Sequence, residues 1–180
     1  MRTQTLGTTI TLTILLATVP AFGASSSSSG EKISKDDSEF VKAAASGGMM
    51  EVELGKVARD RAAKAEVKEF GGRMQKDHTK ANNELKKIAG KKDVKLPAAL
   101  EGKHKSTVDK LTKLKGEEFD REYMSTMVDD HKETIDTFQK EADKGSDPDL
   151  KKFAQDQLPI LKKHLEMAEQ TQKQVSRSGK

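Results

Sequence analysis

Apolar residues return every three or four positions through four long stretches of this chain, and that spacing suits helices that each bury one face. The first stretch, from about Asp37, carries Phe40, Ala44, Gly47, Glu51, Leu54 and Ala58 on one stripe. The second, from about Ala65 to Ala89, carries Val67, Phe70, Met74, His78, Ala81, Leu85 and Ile88. The third, from about Glu117 to Asp143, carries Phe119, Tyr123, Met127, His131, Ile135, Phe138 and Ala142. The fourth runs to about Val175 along Leu150, Ala154, Leu158, Leu161, Leu165 and Ala168. A sheet protein is disfavoured by the same text, because aromatics are only 4% and charged residues 34% of the chain.

Punctuation separates the stripes. A break is expected near Arg61 to Lys64, and Gly90 offers a helix stop after Lys86 and Lys87. Gly145-Ser146-Asp147-Pro148 marks a turn in which Asp147 can cap the next helix and Pro148 can open it. Pro159 falls mid-helix, where its missing N–H predicts a kink. Gly47-Gly48 and Gly71-Gly72 suggest sites of close helix approach. Between the second and third helices, Lys91 to Gly116 is too long for a simple connection, and Leu100, His104, Val108, Leu111 and Leu114 predict a short helix inside it. A crossover that leaves helices two and three parallel accounts for this length. The fold expected is therefore all-α: an antiparallel four-helix bundle over 37–175, ferritin-like, with its long crossover between helices two and three.

The ends read differently. Arg2, the apolar run Leu6 to Val19 and the small residues around Ala21 to Ala24 predict a cleaved signal peptide over 1–23, too short to span a bilayer comfortably. A Ser-rich flexible linker is expected over 24–36 and a disordered tail over 176–180. No second apolar run predicts an integral membrane span in the mature chain, so a periplasmic location is expected. There is no cysteine, which leaves stability to the apolar core and removes thiolate metal sites, thiol redox chemistry and lipid attachment. The 33 basic and 29 acidic residues are interspersed, and without a one-sided basic stripe or stacking aromatics a nucleic-acid partner is not expected. Protein partners are not legible, and a homodimer is left open.

One constellation stands out from the stripes. Glu69-Phe70-x-x-x-Met74-x-x-Asp77-His78 is echoed 53 residues later by Glu122-Tyr123-x-x-x-Met127-x-x-Asp130-His131, which suggests two related hairpins packed face to face. Each helix presents one polar residue at or beside its stripe: Glu51, His78, His131 and His164. Inward residues of facing helices can converge on one metal ion. Glu51, His78 and His131 are expected at similar depth, with His164 about a turn deeper. Imidazole and carboxylate ligands suit Zn, Fe, Cu or Mn. Met74 and Met127, one turn before their histidines, would favour Cu(I) as thioether ligands, but adaptable packing is the usual use of methionine and they are read as core fillers. Asp77 and Asp130 are candidates for orienting the ligands, or for surface ion pairs. Tyr123, in the same repeat, belongs to this surrounding set, and His104 in the connector reads as incidental. The histidines have a plainer reading too, as core-edge groups satisfied by carboxylates or carbonyls.

An oxidase pattern is missing. Di-iron carboxylate enzymes carry Glu-x-x-His on two helices, whereas Gln75, Val128 and Leu161 stand three residues before the histidines here. No nucleophile elbow or phosphate-binding glycine loop appears. Together, Glu51-x-x-Leu54-Gly55, Met74-x-x-Asp77-His78, Phe119-Asp120-x-x-Tyr123-x-x-x-Met127-x-x-Asp130-His131 and Leu158-Pro159-x-Leu161-x-x-His164-Leu165 resemble the DUF4142 family over roughly 38–168. The resemblance implies export and the ferritin-like fold and carries no established activity. Three functional readings follow. The leading one is a periplasmic bundle that binds a metal without turnover. The others are a structural or stress-associated protein without metal, and a metal-dependent redox enzyme.

Overall fold

The structure, a computed structural model, describes residues 33–178. Five helices follow one another: α1 (Lys35–Arg61), α2 (Ala65–Lys91), α3 (Gly102–Leu111), α4 (Gly116–Lys144) and α5 (Pro148–Ser178). Helices α1 and α2 form one antiparallel hairpin, α4 and α5 the other, and the four long helices make the bundle, with α1 against α4 and α2 against α5. The crossover carries α3, which lies on α1 and α4. Its Val108 and Leu111 are buried, as the short stripe predicted. No strand forms among the described residues, and the lone bridge pairs Ala62 in the α1–α2 turn with Gly116 at the start of α4. Gly116 adopts φ +65°, a left-handed conformation that a side chain disfavours.

Two buried aspartates tie the hairpins together reciprocally. Asp120, near the start of α4, accepts hydrogen bonds from the Ala63 and Lys64 backbone N–H groups in the other hairpin's turn, at 3.1 and 3.0 Å. Asp37, near the start of α1, does the same for Ser146 and Asp147 at 3.0 and 3.1 Å. The two pairs are offset by a constant interval along the chain. The hairpins are thus related α1 to α4 and α2 to α5, rather than α2 to α4 as the repeated motif suggested. The motif-bearing helices α2 and α4 instead stand diagonally across the bundle and face each other through its centre.

Several boundaries move from their expected places. Helix α1 starts at Lys35, inside the expected linker, because Ser34 caps it by accepting from the Asp37 N–H at 3.0 Å. Helix α5 continues to Ser178, into the expected tail: Val175 extends the buried stripe, and the Ser176 hydroxyl donates to the Gln172 carbonyl. The segment over 1–23, the linker up to residue 32 and the last two residues lie outside the described residues. Gly90 does not end α2. The helix ends one residue later, at Lys91, after which Asp93 takes φ 53° and the Val94 N–H returns to the Ala89 carbonyl at 3.0 Å. Asp147 caps α5 as expected, accepting from the Asp149 and Leu150 N–H groups. Helix α5 runs on through Pro159 as one element.

Close approach of α1 and α2 occurs at Gly71, a member of one expected pair, and at Gly55, which the sequence reading did not single out. A methyl on Gly71 would lie 2.5 Å from the Ala58 Cβ, and one on Gly55 would lie 2.5 Å from the Gly71 carbonyl oxygen. Gly48 leaves room for the Asn82 side chain, while Gly47 and Gly72 have space beside them.

The core is divided along the bundle axis. One apolar cluster holds Leu54, Phe70, Met74, Phe119, Tyr123 and Met127, among others. A second, toward the α4–α5 turn, holds Phe40, Leu85, Phe138, Phe153 and Leu161. In sequence, Glu51, His78, His131 and His164 each fall between members of the two clusters. They form a buried polar layer across an otherwise apolar interior, all within 8% of full burial.

Candidate metal centre

Three imidazoles meet in this layer. Ring centroids of His78 and His131 are 5.8 Å apart, those of His78 and His164 5.4 Å, and those of His131 and His164 5.5 Å. One nitrogen from each ring lies within 4.8 Å of those from the other two. His164 is therefore level with the others, not a turn deeper.

Two of the rings are oriented from behind. His131 Nδ1 donates to the Met127 backbone carbonyl at 2.9 Å, one turn back on α4. His164 Nε2 lies 3.1 Å from Asp77 Oδ2, so the carboxylate fixes that nitrogen as the donor. Asp77 thus serves a histidine on the adjoining helix α5 instead of its chain neighbour His78, and Arg73 also donates to it. Burial pushes the Asp77 carboxyl up, but the Arg73 and His164 hydrogen bonds outweigh it and hold the group below its ordinary value. With their outer nitrogens protonated, His131 and His164 present lone pairs at Nε2 and Nδ1. These two nitrogens and His78 Nε2 are buried without a hydrogen-bond partner.

Electrostatics keep the rings neutral. Burial lowers all three histidines: His131 to about 4, and His78 well below its ordinary value, with His131 and His164 adding to the effect. For His164 burial prevails over the upward pull of Asp77. Three neutral imidazoles with orphaned inner nitrogens repel one another unless a cation or proton lies between them. Neutral imidazole is the form that ligates metals. The donor set and its orphaned nitrogens therefore fit a transition-metal ion, and the carboxylate behind His164 is the usual device for orienting a ligand.

Glu51 occupies a neighbouring position. It groups with Asp130 and His131, and its Oε1 lies 3.6 Å from His131 Nδ1, the nitrogen turned away from the imidazole cluster. Its carboxyl is buried, and its hydrogen-bonding neighbour is the Asp130 carboxyl. Burial, and then the adjacent Asp130, push Glu51 well up, and burial raises Asp130. The structure thus joins the three expected histidines directly and sets the fourth expected ligand beside them. Met74 and Met127 are fully buried in the apolar cluster, and Met127 contacts the site through its carbonyl. The Tyr123 hydroxyl is buried and unpartnered, and burial, with Glu51 adding, raises its phenol.

A cavity of about 110 Å³ adjoins the cluster, reached by His78, His131, His164 and Glu51. His104, read from sequence as incidental, also lines it and pairs with the Ser46 hydroxyl at 2.7 Å. Sequence reasoning missed Asn82, Thr134 and Gln157 on the same wall, because an isolated polar residue beside a stripe carries no signal of a cavity.

The profile of a family described as a domain of unknown function, DUF4142, matches residues 22–171, most of the chain. No curated protein matches it. The chain is similar to the crystal structure of a DUF305 fragment from Deinococcus radiodurans, at 13% identity and a TM-score of 0.69, covering 81% of this chain and 98% of that one. At that identity the likeness concerns the fold.

Proposed function

The chain belongs to the DUF4142 family, and from that footing we propose that it is an exported four-helix bundle that binds a divalent first-row transition-metal ion through His78, His131 and His164. The observation carrying this reading is the set of three buried imidazoles whose inner nitrogens lack any hydrogen-bond partner. An imidazole set without thiolate suits Zn, Fe or Cu. Asp77 and the Met127 carbonyl hold two of the rings in the tautomer that ligation needs, and Glu51 adds negative charge or a hydrogen-bonding group beside His131. The segment over 1–23 supports export to the periplasm. No described helix is long and apolar enough to cross a membrane.

The test is elemental analysis of the mature protein, purified without chelator or a metal-binding tag. Near-stoichiometric metal, lost from the His78→Ala/His131→Ala variant, supports the site. If the protein holds no metal as purified and takes up none on titration with Zn(II), Cu(II) and Fe(II), the reading falls and a structural bundle remains. In that case the double variant loses stability whether or not metal is supplied.

A further inference from the structure

The two hairpins repeat at one constant interval, so each helix junction serves as a control for the other. The interval carries Asp120 onto Asp37, and the turn amides of Ala63 and Lys64 onto those of Ser146 and Asp147. Both junctions therefore have the same aspartate clamp. The interval also carries Ala58 onto Glu141 and Ala62 onto Gly145. The backbone there is alike: the Ala62 N–H donates to the Ala58 carbonyl at 3.1 Å, and the Gly145 N–H to the Glu141 carbonyl at 2.8 Å. Ala62 takes φ −64° and ψ 144°, and Gly145 takes φ −54° and ψ 141°. Only the side chains differ, and they differ as a pair. At the α4–α5 junction a methyl is missing and a carboxyl stands in its place, since a methyl on Gly145 would lie 2.5 Å from Glu141 Oε1. The buried Glu141 carboxyl is thereby brought to the clamp and hydrogen-bonds Asp37. We propose that Glu141 and Asp37 form a proton-operated latch: with a proton on Glu141 the α4–α5 turn is held against α1, and loss of that proton releases this turn alone.

Two carboxyl groups in contact attract only while one of them keeps a proton. Asp37 is the acceptor, because its two oxygens already take the turn N–H groups and an ionised carboxylate has lone pairs for a further donor. It stands in the first turn of α1, where the helix dipole favours negative charge. Glu141 stands in the last turn of α4, where the dipole opposes it. Asp36 and Glu39 of α1 and Asp147 before α5 also oppose a charge on Glu141, whereas Lys140 and Lys144 of α4 and Lys151 of α5 favour one. Lys151 is committed to the Asp143 carbonyl, and Lys92, just beyond α2, to Asp147 and Asp149. Burial and then Asp37 prevail over Lys151 and raise Glu141 to about 7. The latch is closed below that value and opens as pH rises through it. At the other junction Ala58 has nothing to titrate.

The test is amide hydrogen exchange of the full mature chain between about pH 5 and about pH 8.5, expressed as protection factors so that the ordinary base catalysis of exchange cancels. Ser146 and Asp147 should lose protection at least tenfold over that range, and Ala63 and Lys64 less than threefold. Glu141→Gln keeps a donor that cannot ionise, and its Ser146 and Asp147 amides should stay protected throughout. Glu141→Ala copies the other junction and should show no dependence on pH. A fall shared equally by both turns is loosening of the whole fold and overturns the latch. So does an α4–α5 turn that is already unprotected at pH 5, one that keeps its protection at pH 8.5, or a fall that persists in both variants.

Discussion

At the residue scale, the informative feature is how the site's polar groups are divided between partnered and orphaned atoms. Asp77 is charged, close to the surface and committed to His164 and Arg73, whereas the inner nitrogens have nothing to bond. Replacing Asp77 by Asn removes the charge and frees His164 to adopt either tautomer. We expect Asp77→Asn to bind Zn(II) about 10–100-fold more weakly, read by competition with a chromophoric chelator. A second buried carboxyl makes a separate prediction far from the histidines. Burial, then the charge of Asp37 and a hydrogen bond to it, with Asp147 adding, raise Glu141 to about 7. A carboxyl with a raised pKa in the folded state binds its proton more tightly there than in the unfolded chain. Stability is then greatest below the unfolded value near 4.5 and falls as pH rises through the folded value near 7. Glu141→Gln should remove that fall. Thermal melts should show the variant more stable than the parent by about 1–3 kcal/mol above about pH 8, with the difference vanishing near pH 4.

At the scale of elements, the hairpins are joined by few but specific contacts. Asp120 takes both free N–H groups of the α1–α2 turn, and Asp37 both of those in the α4–α5 turn. Losing either aspartate leaves two part-buried turn N–H groups without their partner. We expect Asp120→Ala to cost about 2–4 kcal/mol in urea unfolding, from a loss of about 1–3 kcal/mol per stranded group. Within the first hairpin, the Gly55–Gly71 contact decides how closely α1 and α2 approach. A methyl at Gly71 meets the Ala58 Cβ and the Gly55 carbonyl rather than a flexible chain end. Gly71→Ala should therefore destabilise by about 1–3 kcal/mol in the same measurement, although alanine has the higher helix propensity.

At the scale of the molecule, the polar layer separates two apolar clusters, and an ion there would join α2, α4 and α5, and so the two hairpins. Metal that binds only the folded state stabilises it by mass action, about 2.7 kcal/mol at one hundred times the dissociation constant. The melting temperature should then rise by roughly 5–10 °C on adding saturating Zn(II). The His78→Ala/His131→Ala variant should show no rise. An equal rise in the variant would place the ion elsewhere.

Much of this was written in the chain. The spacing of apolar residues determined four long helices, Asp147-Pro148 determined where the last begins, and the length from Lys91 to Gly116 determined the crossover. These are local matters: period, cap and reach depend on neighbours along the chain. The candidate residues were legible too, because a histidine on an apolar stripe is anomalous wherever it packs. What the tertiary structure decided is which atoms meet. Asp77 looks like a companion of His78 and serves His164, and His164 looks a turn too deep yet sits level with the other rings. Glu51 looks like a fourth ligand and lies behind His131. Asp37 and Asp120, given no role by periodicity, join the two hairpins. Such relations depend on the relative height and rotation of helices, set by glycine contacts and side-chain volumes summed over the whole interface. A shift of one residue along a helix moves a side chain 1.5 Å and turns it by about 100°, enough to move an atom in or out of a site. Periodicity identifies the face but does not determine that register; packing does.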